Sequence, residues 1–121
     1  MNRDLDRFIA EKVLGLKVYT PENYGRFSYE PKYVETDGNI HRELRKYTFN
    51  TDLALEALKK SSISKDRSAI EISESPDRYL FLFGYDSYTH TYSNIVENES
   101  LATAICEAIF FAIEGTTWNE N

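Results

Sequence analysis

Six residues have the right types to hold a small anionic aromatic ligand. Tyr85, Tyr88, His90 and Tyr92 fall close together around a tight strand connection. They offer flat stacking surfaces and hydroxyls. Arg42 and Arg45 belong to the densest basic cluster of the chain, with Lys46. A guanidinium supplies a rigid fork of donors that matches a phosphate. Stacking on an aromatic contributes ~1–3 kcal/mol per base, so two such contacts and one fork would hold a nucleotide. The plainer alternative is that the tyrosines pack on a sheet and the arginines pair with Glu35 or Glu43.

Bond-breaking machinery is not legible. Cys106 is the single thiol and sits mid-helix beside Ile105 in an apolar stripe, the setting of a buried structural cysteine. No G-x-S-x-G elbow occurs. His41 and His90 are far apart in sequence, nothing resembles H-E-x-x-H, and one Cys with two scattered His does not make a zinc site. The five glycines are isolated, so neither a P-loop nor G-x-G-x-x-G is present. No spacing singles out a carboxylate pair. We expect no cofactor, no metal and no dedicated catalytic set.

The elements that position these residues follow from periodicity. A first helix is predicted over about Arg3 to Leu14, capped by Asn2, with Asp4 and Asp6 at the positive end of its dipole. Leu5, Phe8, Ile9, Val13 and Leu16 make its apolar stripe, and Gly15 closes it. Val18-Tyr19 and Tyr33-Val34-Glu35 read as strand fragments, and Asp37-Gly38 as a hairpin-type turn. Asn50 or Thr51 caps a second helix over about Asp52 to Lys60, with Leu53, Ala54, Ala57 and Leu58 on its apolar side. Ser61 to Ser68 is polar and reads as a loop.

The period then changes to two. Ile70 and Ile72 alternate with polar neighbours in a half-buried strand. Tyr79 to Tyr85 is the strongest strand, apolar on both faces, and is expected to be central and covered on both sides. Asp86-Ser87 turns the chain, and Tyr88, His90 and Tyr92 alternate with Thr89, Thr91 and Ser93 as an extended segment. The last helix is predicted over about Leu101 to Glu114, capped by Ser100 or Asn98 and closed by Gly115. It is apolar on most sides. Ile109, Phe110 and Ile113 extend its stripe beyond what so short a chain is expected to cover, which points to a homo-oligomer joined through those three residues. The order α-β-β-α-β-β-β-α predicts one α+β domain over 1–121, with helices packed on a mainly antiparallel sheet.

Charge and composition narrow the partners. The chain has 121 residues and a net charge of −6, and its last base is Arg78. Fourteen acids and fourteen bases balance in residues 1–78, so the whole net charge lies in the final third. Duplex nucleic acid is an unexpected partner for such a surface. The single cysteine fits a reducing compartment. No run approaches the ~18 apolar residues of a membrane span, and the charged N-terminal stretch lacks a signal-peptide core. We expect an intracellular, cytoplasmic protein with no membrane contact.

Three segments carry a family resemblance. Ile9-Ala10-Glu11-Lys12-Val13-Leu14-Gly15-Leu16-Lys17-Val18 resembles the opening helix of the phage ABA sandwich domain family, found in phages and prophages of Gram-positive bacteria. Tyr47-Thr48-Phe49-Asn50-Thr51-Asp52-Leu53-Ala54 resembles the start of its second helix. Ala102-Thr103-Ala104-Ile105-Cys106-Glu107-Ala108 is similar to its closing helix. The chain departs from the family at Leu16 and near Glu56-Ala57, where tryptophan is common. The resemblance implies an α/β sandwich and a phage or prophage origin, and carries no catalytic residues. Three readings follow from it: sequestration of a nucleotide-derived immune signal by an oligomer, acidic inhibition of a host protein, and enzymatic degradation of such a signal.

Overall fold

The computed structural model describes residues 2–19, 33–36, 40–61, 63 and 70–118, with 33–36 and 40–42 as backbone. Its elements are α1 (Arg3–Phe8), a π-helical turn (Ile9–Val13), β1 (Lys17–Tyr19), β2 (Tyr33–Thr36), β3 (Ile40–Glu43), α2 (Thr51–Lys60), β4 (Glu71–Glu74), β5 (Tyr79–Asp86), β6 (Thr91–Asn98) and α3 (Leu101–Glu114). The expected α+β class holds. The strands form two antiparallel three-stranded sheets, β1-β2-β3 and β4-β5-β6.

Local chemistry sets the helix ends. The side chains of Asn2, Asn50 and Ser100 accept from the backbone N–H three residues on, at Leu5, Leu53 and Thr103. Gly115 ends α3 with φ 78°, its N–H donating to the Phe111 carbonyl. The first helix departs from its expected form. After Phe8 it widens, so that the Leu14 N–H reaches back to Ile9 and the Leu16 N–H to Ala10. A 3.6-residue pattern does not report one widened turn.

β3 is a strand that periodicity missed. Ile40-His41-Arg42-Glu43 has one apolar residue and no alternation, and it forms by backbone pairing at the edge of its sheet. The Asp37-Gly38 turn lies between β2 and β3, outside the described residues, as does most of the loop expected over Ser61 to Ser68.

The core lies around α3, which packs against α2, α1, β5 and β6. Leu5, Ile9, Phe81, Ile105 and Ile109 are fully buried in it. This corrects the oligomer face expected from sequence. Ile109 is covered within the protomer. Phe110 is partly buried between the rings of Phe8 (4.7 Å) and Trp118 (4.9 Å). Of the three, Ile113 alone is exposed, at 38%. The helix is gripped from two layers, and residues beyond its end fold back over it.

A second correction concerns β5. It is central, as expected, and Phe81 and Phe83 are buried towards α3. Its other face is not fully covered. Leu80 and Leu82 are half-buried there, and Ile95, directly opposite Leu82, is 57% exposed.

A buried polar cluster ties the helices together. Asp6 has no exposed surface, and its carboxylate accepts from the Thr48 N–H (2.8 Å) and from Arg3 (3.0 Å). The Arg3 guanidinium also donates to the Leu44 carbonyl at 2.7 Å. The Asn2 N–H donates to the Thr48 hydroxyl (2.9 Å), and the Thr103 hydroxyl donates to the Thr48 carbonyl (2.8 Å). Such a carboxylate is tolerated because it is paired and bonded. Removing one member strands the others. Asp6→Ala is expected to lower stability by about 3 kcal/mol in urea denaturation. Asp6→Asn, which keeps an acceptor for Thr48, is expected to lose less.

Candidate functional site

Four of the six residues singled out for chemistry meet at the tip of the β5–β6 hairpin. The strands pair from Tyr79↔Asn98 to Asp86↔Thr91. Gly84 sits near the turn end with φ 73°, a conformation that favours glycine. A Cβ there would collide with the Ser93 hydroxyl, which donates to the Gly84 carbonyl at 3.1 Å. The glycine therefore serves both a backbone twist and a close approach.

Asp86 then folds the chain over. Its side chain accepts from the Tyr88 N–H, and its carbonyl accepts from the His90 N–H, both at 2.8 Å. Residues 87–90 are a turn, and β6 starts at Thr91. The extended segment expected over Tyr88, His90 and Tyr92 is thus corrected. The aspartate binding the backbone two residues on overrides the alternating pattern. His90 adopts φ 56°, rare for a side chain other than glycine.

The tip displays its aromatics outward. Tyr88 is 95% exposed. The rings of Tyr85 and Tyr92 lie 5.1 Å apart, and the Tyr85 hydroxyl is 3.2 Å from His90 Nδ1. Partial desolvation, and then the Glu71 carboxylate beside it, push the Tyr92 phenol above its ordinary range. The result is an exposed, hydroxyl-rich aromatic turn held by Asp86.

The segment of Arg45 is tied to other elements. The Arg45 carbonyl accepts from Arg3, and its segment is anchored to the start of α3 through Thr48 and Thr103. The eight residues of β6 carry the chain from the hairpin tip to that end. At ~3.3 Å per residue a strand of that length spans about 25 Å. Arg42 and His41 lie in β3, in the other sheet, and their side chains fall outside the described residues.

Cys106 is fully buried, and burial first, then the charges of Asp6 and Glu107, hold its thiol far above the ordinary value. A pocket of about 190 Å³ lies between β6 and the residues after α3, lined by Ile95, Val96, Glu97, Glu107, Thr117 and Trp118. Sequence reasoning missed it because Trp118 has no periodic context. Among the described residues, no group of three or more His, Cys, Asp or Glu is placed to hold a metal. No helix among them is long and apolar enough to cross a membrane.

Element order, two sheets and the packing around α3 permit comparison with known proteins. The fold is shared with a phage protein. A 2.0 Å crystal structure of a phage protein from Bacillus cereus ATCC 14579 is similar with a TM-score of 0.66. The likeness covers 98% of this chain and 93% of that one, at 16% sequence identity. At this identity the likeness establishes the fold. No protein-family model matches the chain, and no curated protein matches it. The likeness to the phage ABA sandwich family therefore rests on the three segments quoted above.

Two measurements check this account of the site. Gly84→Ala is expected to cost at least ~1–2 kcal/mol from its left-handed backbone, and Ser93→Ala should relieve the added clash in thermal melts. Cys106 and Tyr47 are both held neutral by burial, so their proton affinities are raised in the fold. The unfolded chain releases these protons around the ordinary values of 9.0 and 10.0. Stability should be complete below that window and fall as pH rises through it. Cys106 should stay unlabelled by thiol reagents at pH ~8 until the protein is unfolded.

Proposed function

We propose that this protein is a phage or prophage accessory protein that acts by binding a host protein through the β5–β6 hairpin tip. The observation that carries this reading is Tyr88, almost wholly exposed on a turn that Asp86 holds in place. A fixed turn has less conformational freedom to lose on binding. Tyrosine is a frequent anchor of protein interfaces. The stretch from Tyr79 onward has six acids and no base, so the partner is one with a basic surface around an aromatic-accepting groove. The phage provenance of the Bacillus cereus protein with the same fold supports the setting.

Sequestration of a nucleotide-derived signal has less support. It needs a guanidinium fork beside the tyrosines, and the segment of Arg45 is bonded through Thr48 to the start of α3. Small-molecule sites are concave and typically ~300–1,000 Å³. The pocket near Trp118 is smaller and carries two glutamates. Repulsion disfavours an anion there.

The test is retention of a host bacterial protein on the immobilised chain, followed by titration of the purified pair. Tyr88→Ala should weaken binding by ~2 kcal/mol or more, about thirtyfold. Its melting temperature should not move, because the side chain touches little. Arg45→Ala should bind as the parent does. A thermal shift with a cyclic nucleotide that Arg45→Ala abolishes, with no host protein retained, would sink this reading in favour of sequestration.

A further inference from the structure

The two edges of the β4-β5-β6 sheet differ in kind. β4 is four residues long, carries Glu71 and Glu74, and runs into Ser75-Pro76. Short length, charge and a following proline protect such an edge. β6 is eight residues long and contains no Lys, Arg, Pro or Gly. Its one charged residue, Glu97, is already paired with Arg78 at 3.1 Å. Among the described residues no other segment hydrogen-bonds to its outer side. Thr117 and Trp118 stand beside Ile95–Glu97 across the pocket without a backbone bond to the strand.

We propose that two copies of this chain pair antiparallel along β6 about a two-fold axis at Ile95, giving one continuous six-stranded sheet. The strand is complementary to itself in this register. Ile95, 57% exposed, lies opposite its own copy, so two apolar side chains cover each other. Asn94 then faces Val96, Ser93 faces Glu97, and Tyr92 faces Asn98. No like charges stand opposite, and the two Glu97 positions are four residues apart, about 13 Å. The half-buried Leu80 and Leu82 adjoin Ile95 and become part of an extended apolar face. The net charge of −6 does not oppose the contact, because β6 with its Arg78 partner is neutral at this edge. A closed isologous contact of this kind uses up the β6 edge of both copies and leaves only the guarded β4 edges, so it does not grow into a fibre. The interface is distinct from the hairpin tip, and from the α3 residues that the protomer itself covers.

Sedimentation velocity of the full chain, from low micromolar to submillimolar concentration, tests it. The wild type should be a dimer in the upper range. Ile95→Lys, which places the charge that guards natural edges, should be monomeric throughout with an unchanged circular dichroism spectrum. Ile113→Lys should dimerise as the wild type does. Ile95→Cys should form an interchain disulfide on mild oxidation, since opposed strand residues stand ~4.5–5.5 Å apart at Cα. Buried Cys106 does not compete for that bond. A wild type that stays monomeric overturns the proposal. So does a dimer that survives Ile95→Lys, is lost in Ile113→Lys alone, or yields no Ile95→Cys cross-link.

Discussion

The structure depends on one buried carboxylate. Asp6 binds the backbone of Thr48 and the guanidinium of Arg3, and Thr48 in turn receives Thr103. Three segments far apart in the chain are thereby fixed to one another before any apolar side chain is counted. Hydrophobic burial supplies most of the driving force but has no direction. The polar cluster supplies direction, since it is satisfied only when α1, the Leu44–Thr48 segment and the start of α3 meet in one arrangement. The cost of excluding a charge from water is offset by the bonds it makes.

Much of this architecture was legible in the residues. Helix caps at Asn2, Asn50 and Ser100 and the glycine stop at Gly115 follow from local chemistry, which the rest of the fold does not override. The centrality of β5 followed from its two apolar faces. What escaped notice was tertiary. Asp6 reads as an acid suited to a helix start, and nothing in its neighbours says that Thr48 will lie over it. Ile109 and Phe110 look surplus on a helical wheel until Phe8 and Trp118 are placed beside them. β3 has no alternation to see, because an edge strand needs backbone pairing more than side-chain pattern.

The candidate site divides in the same way. Tyr85, Tyr88, His90 and Tyr92 are close in sequence and close in space, as residues on one hairpin must be. Arg45 was grouped with them on chemical grounds alone. Sequence distance carried no information on whether a basic segment before α2 would reach a turn between β5 and β6. The segment of Arg45 is bonded through Thr48 to the start of α3. Among the described residues, contacts at the aromatic tip are made by Tyr85, Asp86, His90 and Tyr92.

The polar cluster also bears on how the chain matures on the ribosome. Asp6 emerges early, yet its bond to Thr48 spans 42 residues, and the Thr48–Thr103 bond spans 55. Until α3 has been synthesised, Thr48 lacks its hydroxyl partner and the apolar side of α1 has no lid. Contacts that wait on distant residues slow the search for the native state. The polar cluster is thus completed only when α3 joins α1 and the Leu44–Thr48 segment.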